Sequence, residues 1–184
     1  MRADRAREHL SAVFLDRDGV INVKAPEGEY VTSWDKFAFI DGALDGLRLL
    51  ARLGVPVVVV TNQRGIARGR MTEEDLTDIH TRMRAEVADA GGRIDAIYHC
   101  PHEGGCECRK PGTAMFREAA QDLGIELPRS AVVGDRASDM EAANAIGALR
   151  ILVRGVDEQM PTVDHVGDDL TAAARWLLDR DAPA

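Results

Sequence analysis

Cysteine is scarce in this sequence, with three residues in 184, and all three lie between positions 100 and 108. An odd number of cysteines excludes a framework in which every cysteine is paired in a disulfide. In a reducing compartment, clustered cysteines are more often metal ligands than disulfide partners. The scarcity and the clustering together predict a metal site in this short segment.

Long hydrophobic runs are also missing. The most apolar stretch, GVPVVVV at 54–60, is far shorter than the roughly 20 residues that a helix needs to cross a bilayer. Residues 1–14 are charged and lack the apolar region of a secretory signal peptide. We therefore expect a soluble cytoplasmic protein that has no membrane partner.

Positive charge is in deficit, since the formal net charge is −8. A nucleic-acid-binding surface needs a basic patch, so this balance argues against a nucleic acid partner. Local basic residues can still bind a small anion, which leaves phosphorylated small molecules as substrates. Aromatic residues make up only 4% of the chain, so the core is expected to be aliphatic. A monomer is the default expectation.

Short β-branched segments alternate with segments of helical periodicity along the whole chain. The continuous apolar run at 55–62 is typical of a strand that is buried on both faces of a parallel sheet. The alternation predicts one α/β domain over residues 1–184, a three-layer sandwich with a mostly parallel, Rossmann-like sheet. The predicted strands cover residues 12–16, 55–62, 94–99, 130–135 and 149–155, and the predicted helices cover residues 42–54, 71–92, 113–124, 138–147 and 168–180.

Two of these helices begin with the spacing of a capping box, in Thr72 with Asp75 and in Ser138 with Glu141. The segment VGDDL at 166–170 has the letters of a strand end followed by acidic residues. It has no strong strand before it, so we assign it to capping of the last helix.

Polar residues follow the first predicted strand, at the edge where parallel α/β sheets gather their chemistry. Asp16 and Asp18 are two residues apart, so both carboxylates can face one cavity. A carboxylate nucleophile beside a carboxylate acid/base is a workable pair for phosphoryl transfer. The same letters are also common in turns and helix caps. A calcium-binding EF-hand is excluded because Gly19 comes too early in the loop.

The second and fourth predicted strands end in complementary chemistry. Thr61 and Asn62 close the second strand, and a hydroxyl and a backbone N–H at a strand end suit a phosphate oxygen. The loop that follows is basic from Arg64 onward. Its arginines are also what an ordinary surface loop with solvated side chains would contain. Asp135 closes the fourth strand and is a natural Mg²⁺ ligand. Asp139 follows four residues later, where a helix start also favours an acid.

The cysteine cluster contains Cys100, His102, Cys106 and Cys108, which supply three thiolates and one imidazole. They form a complete tetrahedral set for Zn²⁺ that leaves no position open for water, so the zinc is expected to be structural. His99 is an alternative ligand. A Cys100–Cys108 disulfide that leaves Cys106 free is the alternative without metal.

Arg109 and Lys110 follow the cluster directly, and a lysine ammonium can bind a phosphate as a point charge. A glycine-rich loop cannot by itself hold two cations at a phosphate. We therefore hypothesise that zinc does no chemistry and fixes the loop, which is inserted at 99–110 after the third strand, so that both cations face the site.

The four segments DRDGV, TNQ, RKP and GDRASD, taken in this order, resemble the motifs of the haloacid dehalogenase-like phosphatase superfamily over residues 13–147. The resemblance implies a capless, Mg²⁺-dependent phosphatase in which Asp16 becomes an aspartyl-phosphate and Asp18 is the acid/base. It implies that Mg²⁺ is bound by the Asp16 carboxylate, the Asp18 carbonyl and Asp135, with Asp139 in support. The phosphoryl group would be held by Thr61, Asn62 and Lys110.

Within this superfamily, FLDRDGVIN, TNQRGIARG, CPH and CECRKP resemble the group that acts on heptose bisphosphates, which is related to the histidinol phosphatases. Val20 slightly favours the heptose group, because the histidinol group more often has threonine there. The resemblance implies substrate contacts by Asn22, Lys24, Gln63, Arg64, Arg109 and Arg136. The arginine pair Arg109 and Arg136 suits a second phosphate, since a guanidinium can bind phosphate bidentately.

The expected reaction is removal of the C7 phosphate of D-glycero-D-manno-heptose 1,7-bisphosphate. Histidinol phosphate is the alternative substrate. A zinc-stabilised binding domain without catalytic activity is the alternative from another class of protein.

Overall fold

A computed structural model describes residues 9–153 and 162–182. Strands and helices alternate along this part of the chain, as the sequence predicts. The strands are β1 (Ala12–Leu15), β2 (Val57–Asn62), β3 (Ala96–Cys100), β4 (Ser130–Gly134), β5 (Leu149–Val153) and β6 (His165–Gly167). The helices are α1 (Ala43–Ala51), α2 (Glu73–Asp89), α3 (Ala114–Leu123), α4 (Ala137–Ala145) and α5 (Leu170–Asp181), with short 3-10 turns at Trp34–Lys36 and Leu127–Arg129.

The six strands form one parallel sheet in the order β3-β2-β1-β4-β5-β6. The first strand therefore lies between β2 and β4, and the chain builds outward from it first on one side and then on the other. Such a switch point opens a crevice beyond the carboxyl ends of the central strands. The expected α/β fold is confirmed, and the ends of β1, β2 and β4 are brought together.

Two apolar clusters cover the two faces of the sheet. One contains Leu47 and Leu50 of α1 with Leu170 and Leu177 of α5, and the other contains Phe116 of α3. Helices α1 and α5 approach closely at Gly46, where a β-carbon would lie 2.9 Å from the backbone of Leu170. Burial of aliphatic side chains on both faces provides the main stabilisation of the three layers.

Helix capping follows the sequence at two helices and departs from it at a third. Thr72 and Asp75 form the expected capping box on α2, and Asp169 caps α5 by accepting the Ala172 backbone N–H at 2.7 Å. The Ser138–Glu141 box is wrong. The Asp139 carboxylate instead accepts the backbone N–H groups of Asp135 and Arg136, each at 3.2 Å, because the N-cap of α4 is Arg136, two residues before Ser138.

The sequence also missed β6, a strand of three residues that extends the edge of the sheet immediately before the Asp169 cap. It is too short to produce a hydrophobic pattern. Residues 154–155 of the fifth predicted strand, and residues 1–8 of the charged N-terminus, lie outside the described residues. Within the described part of the chain, no helix has the length and apolar character to span a membrane.

Candidate active site

Asp16 follows β1 directly and is 9% exposed. Its Oδ1 accepts the backbone N–H of Arg17 at 2.8 Å and lies 2.9 Å from Lys110 Nζ. Burial raises the pKa of Asp16 to about 7, and Lys110 acts in the opposite direction. The carboxylate is thus held at the bottom of the crevice beside a permanent cation.

Asp18 is surrounded by hydrogen-bond donors. Its Oδ1 accepts from Arg17 Nη2 and from Asn22 Nδ2, both at 2.9 Å. Its Oδ2 accepts from Arg17 Nη2 at 3.1 Å and from Gln63 Nε2 at 2.8 Å. Burial alone would raise the pKa of Asp18, but Arg17 and the amide donors outweigh it and hold that pKa below its usual value.

Lys110 reaches the site from the cysteine loop. Its Nζ donates to the Val60 carbonyl at 2.7 Å and pairs with Asp139 Oδ1 at 2.7 Å as well as with Asp16. Burial opposes its charge, but the two carboxylates raise the pKa of Lys110 above its usual value. Asn62 accepts the Lys110 backbone N–H at 3.0 Å and donates to the Lys110 carbonyl at 3.2 Å. The side chain of Asn62 therefore anchors the lysine.

The structure assigns internal contacts to two residues that were expected to contact substrate. Asn22 is fully buried and donates to Asp18 and to the Val23 carbonyl, so its place is beneath the carboxylate. Gln63 is 4% exposed and donates to both Asp18 and the Thr61 hydroxyl oxygen. The side chain of Asn22 is completely covered by the folded chain, so its contact is with Asp18, and a substrate contact by Asn22 stays a prediction.

Three carboxylates converge where Mg²⁺ is expected. Oxygens of Asp16, Asp135 and Asp139 lie within 4.8 Å of one another. Lys24 forms an ion pair with Asp135 Oδ2, so its ammonium occupies a position suited to a cation. Asp135 Oδ1 is buried and, among the described residues, has no hydrogen-bond partner. A hard cation with oxygen ligands fits this set of donors.

Gly19 makes this arrangement possible. Its φ is +93°, a conformation that favours glycine, and a β-carbon there would lie 2.3 Å from Asp135 Oδ2. The turn after Asp18 therefore depends on a residue that has no side chain.

A cavity of about 610 Å³ opens above these groups. Three arginines, Arg64, Arg109 and Arg136, are among its lining residues, whereas Thr61 is fully buried and does not line it. The segment at 24–31 forms much of the remaining wall, and apart from Lys24 no residue of it was predicted from the sequence. The cavity is lined by Asp16, Asp18, Lys24, Ala25, Pro26, Glu27, Gly28, Glu29, Tyr30, Val31, Asn62, Gln63, Arg64, Arg109, Lys110, Arg136, Ser138 and Asp139.

The cysteine loop gathers its four predicted ligands. Their donor atoms lie within 4.8 Å of one another, and His102 Nδ1 is 3.2 Å from Cys108 Sγ. All three cysteines are free thiols in the structure, so a Cys100–Cys108 disulfide is not formed. His99 contacts Glu73 at 2.9 Å instead of joining the cluster. Three thiols and one imidazole in this arrangement fit a tetrahedral zinc ion.

Sequence reasoning missed Arg17 and His80. Arg17 is fully buried, and its Nη1 lies 3.2 Å from His80 Nε2. Two signals were available. Arg17 is a charged residue between two site aspartates, and His80 is on the apolar face of α2 that Ile79 and Met83 define.

Comparison with known proteins agrees with this geometry. Residues 107–173 match the family model described as HAD-hydrolase-like. The chain is 46% identical to the D-glycero-beta-D-manno-heptose-1,7-bisphosphate 7-phosphatase of Vibrio cholerae, over 94% of each protein. It is 41% identical to the phosphatase of the same name from Yersinia pestis, over 94% of this chain and 92% of that protein.

A solved structure agrees as well. The D,D-heptose 1,7-bisphosphate phosphatase of B. bronchiseptica, in complex with magnesium and phosphate, superposes with a TM-score of 0.81. It is 34% identical and covers 92% of this chain and 99% of its own. These identities extend over nearly the whole chain, and so the chain belongs to the haloacid dehalogenase-like family that contains the D-glycero-β-D-manno-heptose-1,7-bisphosphate 7-phosphatases.

Proposed function

We propose that the protein is a Mg²⁺-dependent phosphatase that removes the C7 phosphate of D-glycero-D-manno-heptose 1,7-bisphosphate. The observation that carries this proposal is the convergence of Asp16, Asp18 and Lys110 in one cavity, with Asp135 beside Asp16, in a chain 46% identical to a phosphatase named for that reaction. The names of the relatives favour the β anomer.

In the first step, a carboxylate oxygen of Asp16 attacks the phosphorus of the C7 phosphate. The bond between phosphorus and the sugar oxygen breaks, and the protonated form of Asp18, a minor form because its pKa is held low, gives its proton to that oxygen. An aspartyl-phosphate forms on Asp16 and the heptose leaves as an alcohol. Lys110, 2.9 Å from Asp16 Oδ1, places positive charge beside the transferring group.

In the second step, water attacks the phosphorus and transfers a proton to the Asp18 carboxylate. The bond between phosphorus and Asp16 breaks, which regenerates both aspartates and releases inorganic phosphate. The donors around Asp18 stabilise its ionised form, which is the form required to accept this proton.

Mg²⁺ would be bound by the Asp16 carboxylate, the Asp18 carbonyl and Asp135, with Asp139 in support, and would neutralise charge on the phosphoryl oxygens. Thr61, Asn62 and Lys110 would orient the phosphoryl group. Lys24 contacts Asp135 in the structure and can exchange that contact for a substrate oxygen as the metal binds.

The second phosphate would bind at the outer wall of the cavity. Arg64, Arg109 and Arg136 all line it, and none of them pairs with Asp16 or Asp135 in the structure. Guanidinium groups suit phosphate because their N–H groups can bind two oxygens at once. This wall favours a bisphosphate over a substrate with a single phosphate, such as histidinol phosphate.

We further propose that Cys100, His102, Cys106 and Cys108 bind one structural Zn²⁺. The four donors fill the tetrahedral coordination of zinc and leave no position for water, as expected of a zinc ion that stabilises a fold. The loop runs directly into Arg109 and Lys110, so the ion would order the backbone on which both cations stand. A cytoplasmic location and a monomeric state stay predictions from the sequence.

The test is a phosphate-release assay with Mg²⁺ over both anomers of heptose 1,7-bisphosphate, fructose 1,6-bisphosphate and histidinol phosphate. We expect the highest kcat/KM with a heptose bisphosphate and no release when Mg²⁺ is removed by EDTA. A higher kcat/KM for histidinol phosphate would replace the substrate assignment. Zinc content without phosphate release from any substrate would support a non-catalytic binding domain.

A further inference from the structure

A buried arginine lies directly beneath the proposed acid/base. Arg17 is 0% exposed, and its Nη2 donates to both oxygens of Asp18, at 2.9 and 3.1 Å. Its Nε is buried and has no hydrogen-bond partner among the residues that the structure describes. A fully buried guanidinium carries a large desolvation cost, which is tolerated only where its contacts are well made.

The other end of this guanidinium is held by helix α2. Arg17 Nη1 lies 3.2 Å from Nε2 of His80, which is 8% exposed. Arginine can only donate, so His80 accepts through Nε2 and carries its proton on Nδ1. Burial, with the adjacent Arg17 charge, lowers the pKa of His80 to about 3, consistent with a neutral ring.

We propose that Arg17 and His80 form a positioning pair that holds the Asp18 carboxylate in its working orientation. The guanidinium is planar and contacts Asp18 with one end and His80 with the other. His80 therefore fixes the rotation of the plane, and the plane fixes the carboxylate. Neither residue touches the substrate, and the inference rests on the proposed function because it concerns the acid/base of that reaction.

The remaining contacts explain why a second anchor is needed. Asn22 donates one N–H to one oxygen of Asp18, and Gln63 donates one to the other. These two bonds do not fix the position of Arg17, so a movement of the guanidinium would move the carboxylate as well. Acid/base catalysis contributes about 10²–10⁴-fold in rate and depends on placement of the proton donor within a fraction of an ångström. Loss of the His80 contact should therefore reduce turnover and leave substrate binding intact.

The test compares His80→Phe, which keeps a flat ring but removes the acceptor, with His80→Gln, which supplies a side-chain carbonyl acceptor. We expect His80→Phe to lower kcat by about tenfold or more, with KM and the Mg²⁺ activation midpoint unchanged. His80→Gln should recover kcat to within about threefold of wild type. The matched control is His165→Phe on β6, at the far edge of the sheet, which should leave kcat unchanged.

Three outcomes would overturn the positioning pair: wild-type kcat in His80→Phe, equal loss in His80→Gln and His80→Phe, or a change confined to KM. If His80→Phe does not fold, Arg17→Lys takes its place, because lysine keeps the charge but cannot bridge Asp18 and His80. A normal kcat in Arg17→Lys would then refute the pair, and a lower kcat at constant KM would support it. If the wild-type protein is inactive toward heptose bisphosphate, the proposed function itself is refuted. If the wild type is active and His80→Phe is equally active, only the positioning pair is refuted.

Discussion

Charged side chains are concentrated beneath the cavity, and most are paired at hydrogen-bonding distance. Four carboxylates share three cations there, which leaves negative charge that a metal ion can neutralise. A buried charge without a partner would cost several kcal/mol, so the pairing is a condition for the fold as well as for the chemistry. The carboxylates are Asp16, Asp18, Asp135 and Asp139, and the cations are Arg17, Lys24 and Lys110.

Asp16→Asn tests the nucleophile. An amide cannot form the acyl-phosphate, so we expect turnover to fall by more than about a hundredfold. Asn has nearly the same shape, and Lys110 keeps its contact with Asp139, so the melting temperature should not fall. Phosphate release and thermal unfolding are measured together. Asp45→Asn, an exposed position on α1, is the matched control, and activity of Asp16→Asn within about tenfold of wild type would contradict the assignment.

At the residue scale, the sequence predicted which residues carry reactive groups better than it predicted which residues those groups contact. Asp16, Asp18 and Asp135 follow strands, so their approximate location could be predicted from the strand pattern alone. The burial of Asn22 and the contact of Arg17 with His80 could not, because they depend on residues distant in the chain, Phe39 for Asn22 and α2 for Arg17.

At the scale of elements, the cysteine loop connects β3 to the lysine of the active site. Asn62 of β2 holds the backbone of Lys110 from one side, and the proposed zinc would hold the loop from the other. The Arg109 backbone N–H also lowers the pKa of Cys106 to about 6, which favours a thiolate ligand.

Cys108→Ser tests whether zinc positions the two cations. We expect the variant to lose zinc and kcat/KM to fall by at least about tenfold, because Arg109 and Lys110 lose their ordered backbone. Metal content is measured by mass spectrometry and activity by phosphate release. Ser130→Ala, which is away from the loop, is the control variant and should keep both its zinc and its kcat/KM. Zinc loss with full catalytic efficiency would refute the positioning role.

A second connection joins three loops through the side chain of Arg68. Arg68 Nε donates to Glu103 Oε2 at 2.6 Å, a second bond joins Arg68 Nη2 to Glu103 Oε1, and Arg68 Nη1 donates to the Tyr30 hydroxyl at 3.0 Å. Glu103 belongs to the cysteine loop and Tyr30 lines the cavity. The arginine thus connects the loop of the proposed zinc ligands to a residue that lines the cavity.

Reversal of this charge pair should change substrate affinity. We expect Arg68→Glu to raise KM for heptose bisphosphate by about two- to fivefold, the modest effect typical of an exposed pair. Adding Glu103→Arg to the same protein should restore much of the KM. Hydrolysis of p-nitrophenyl phosphate, which does not reach the outer wall, serves as the control and should change little. A KM that is the same in all variants would show that the connection does not shape the substrate site.

At the scale of the molecule, stability and metal binding are linked through Asp16. Burial raises the pKa of this carboxyl from 3.8 to about 7, although Lys110 opposes the shift. The folded protein therefore binds this proton more tightly than the unfolded chain does. The resulting stabilisation is complete below about pH 4 and is lost as the pH rises through about 7.

Mg²⁺ competes with that proton, so its stabilising effect should increase with pH. At about 100 times its dissociation constant, a ligand adds about 2.7 kcal/mol, or roughly 5–10 °C in melting temperature for a chain of this size. We expect a rise of this order near pH 8 and a clearly smaller one near pH 5.5, measured by thermal unfolding with and without Mg²⁺. Asp16→Asn should lose most of the pH dependence, and an equal rise at both pH values in the wild type would contradict the linkage.

The sequence by itself determined the α/β class, most strand and helix positions, the strand-end acids and the cluster of three cysteines and one histidine. These features are local, since strand periodicity, capping and ligand spacing are set by residues close together in the chain. The three-residue β6 and the start of α4 escaped because they depend on neighbours from elsewhere in the sheet.

Only the tertiary structure decided which polar groups face the cavity and which support them. Placing β1 between β2 and β4 brings Lys110 Nζ to 2.9 Å from Asp16 and 2.7 Å from Asp139, although Asp16 is about a hundred residues before the other two in the chain. The same packing buries Asn22 and Arg17 and leaves Arg64, Arg109 and Arg136 on the wall. The burial of a side chain depends on the packing of all three layers, so it cannot be predicted from a local sequence pattern.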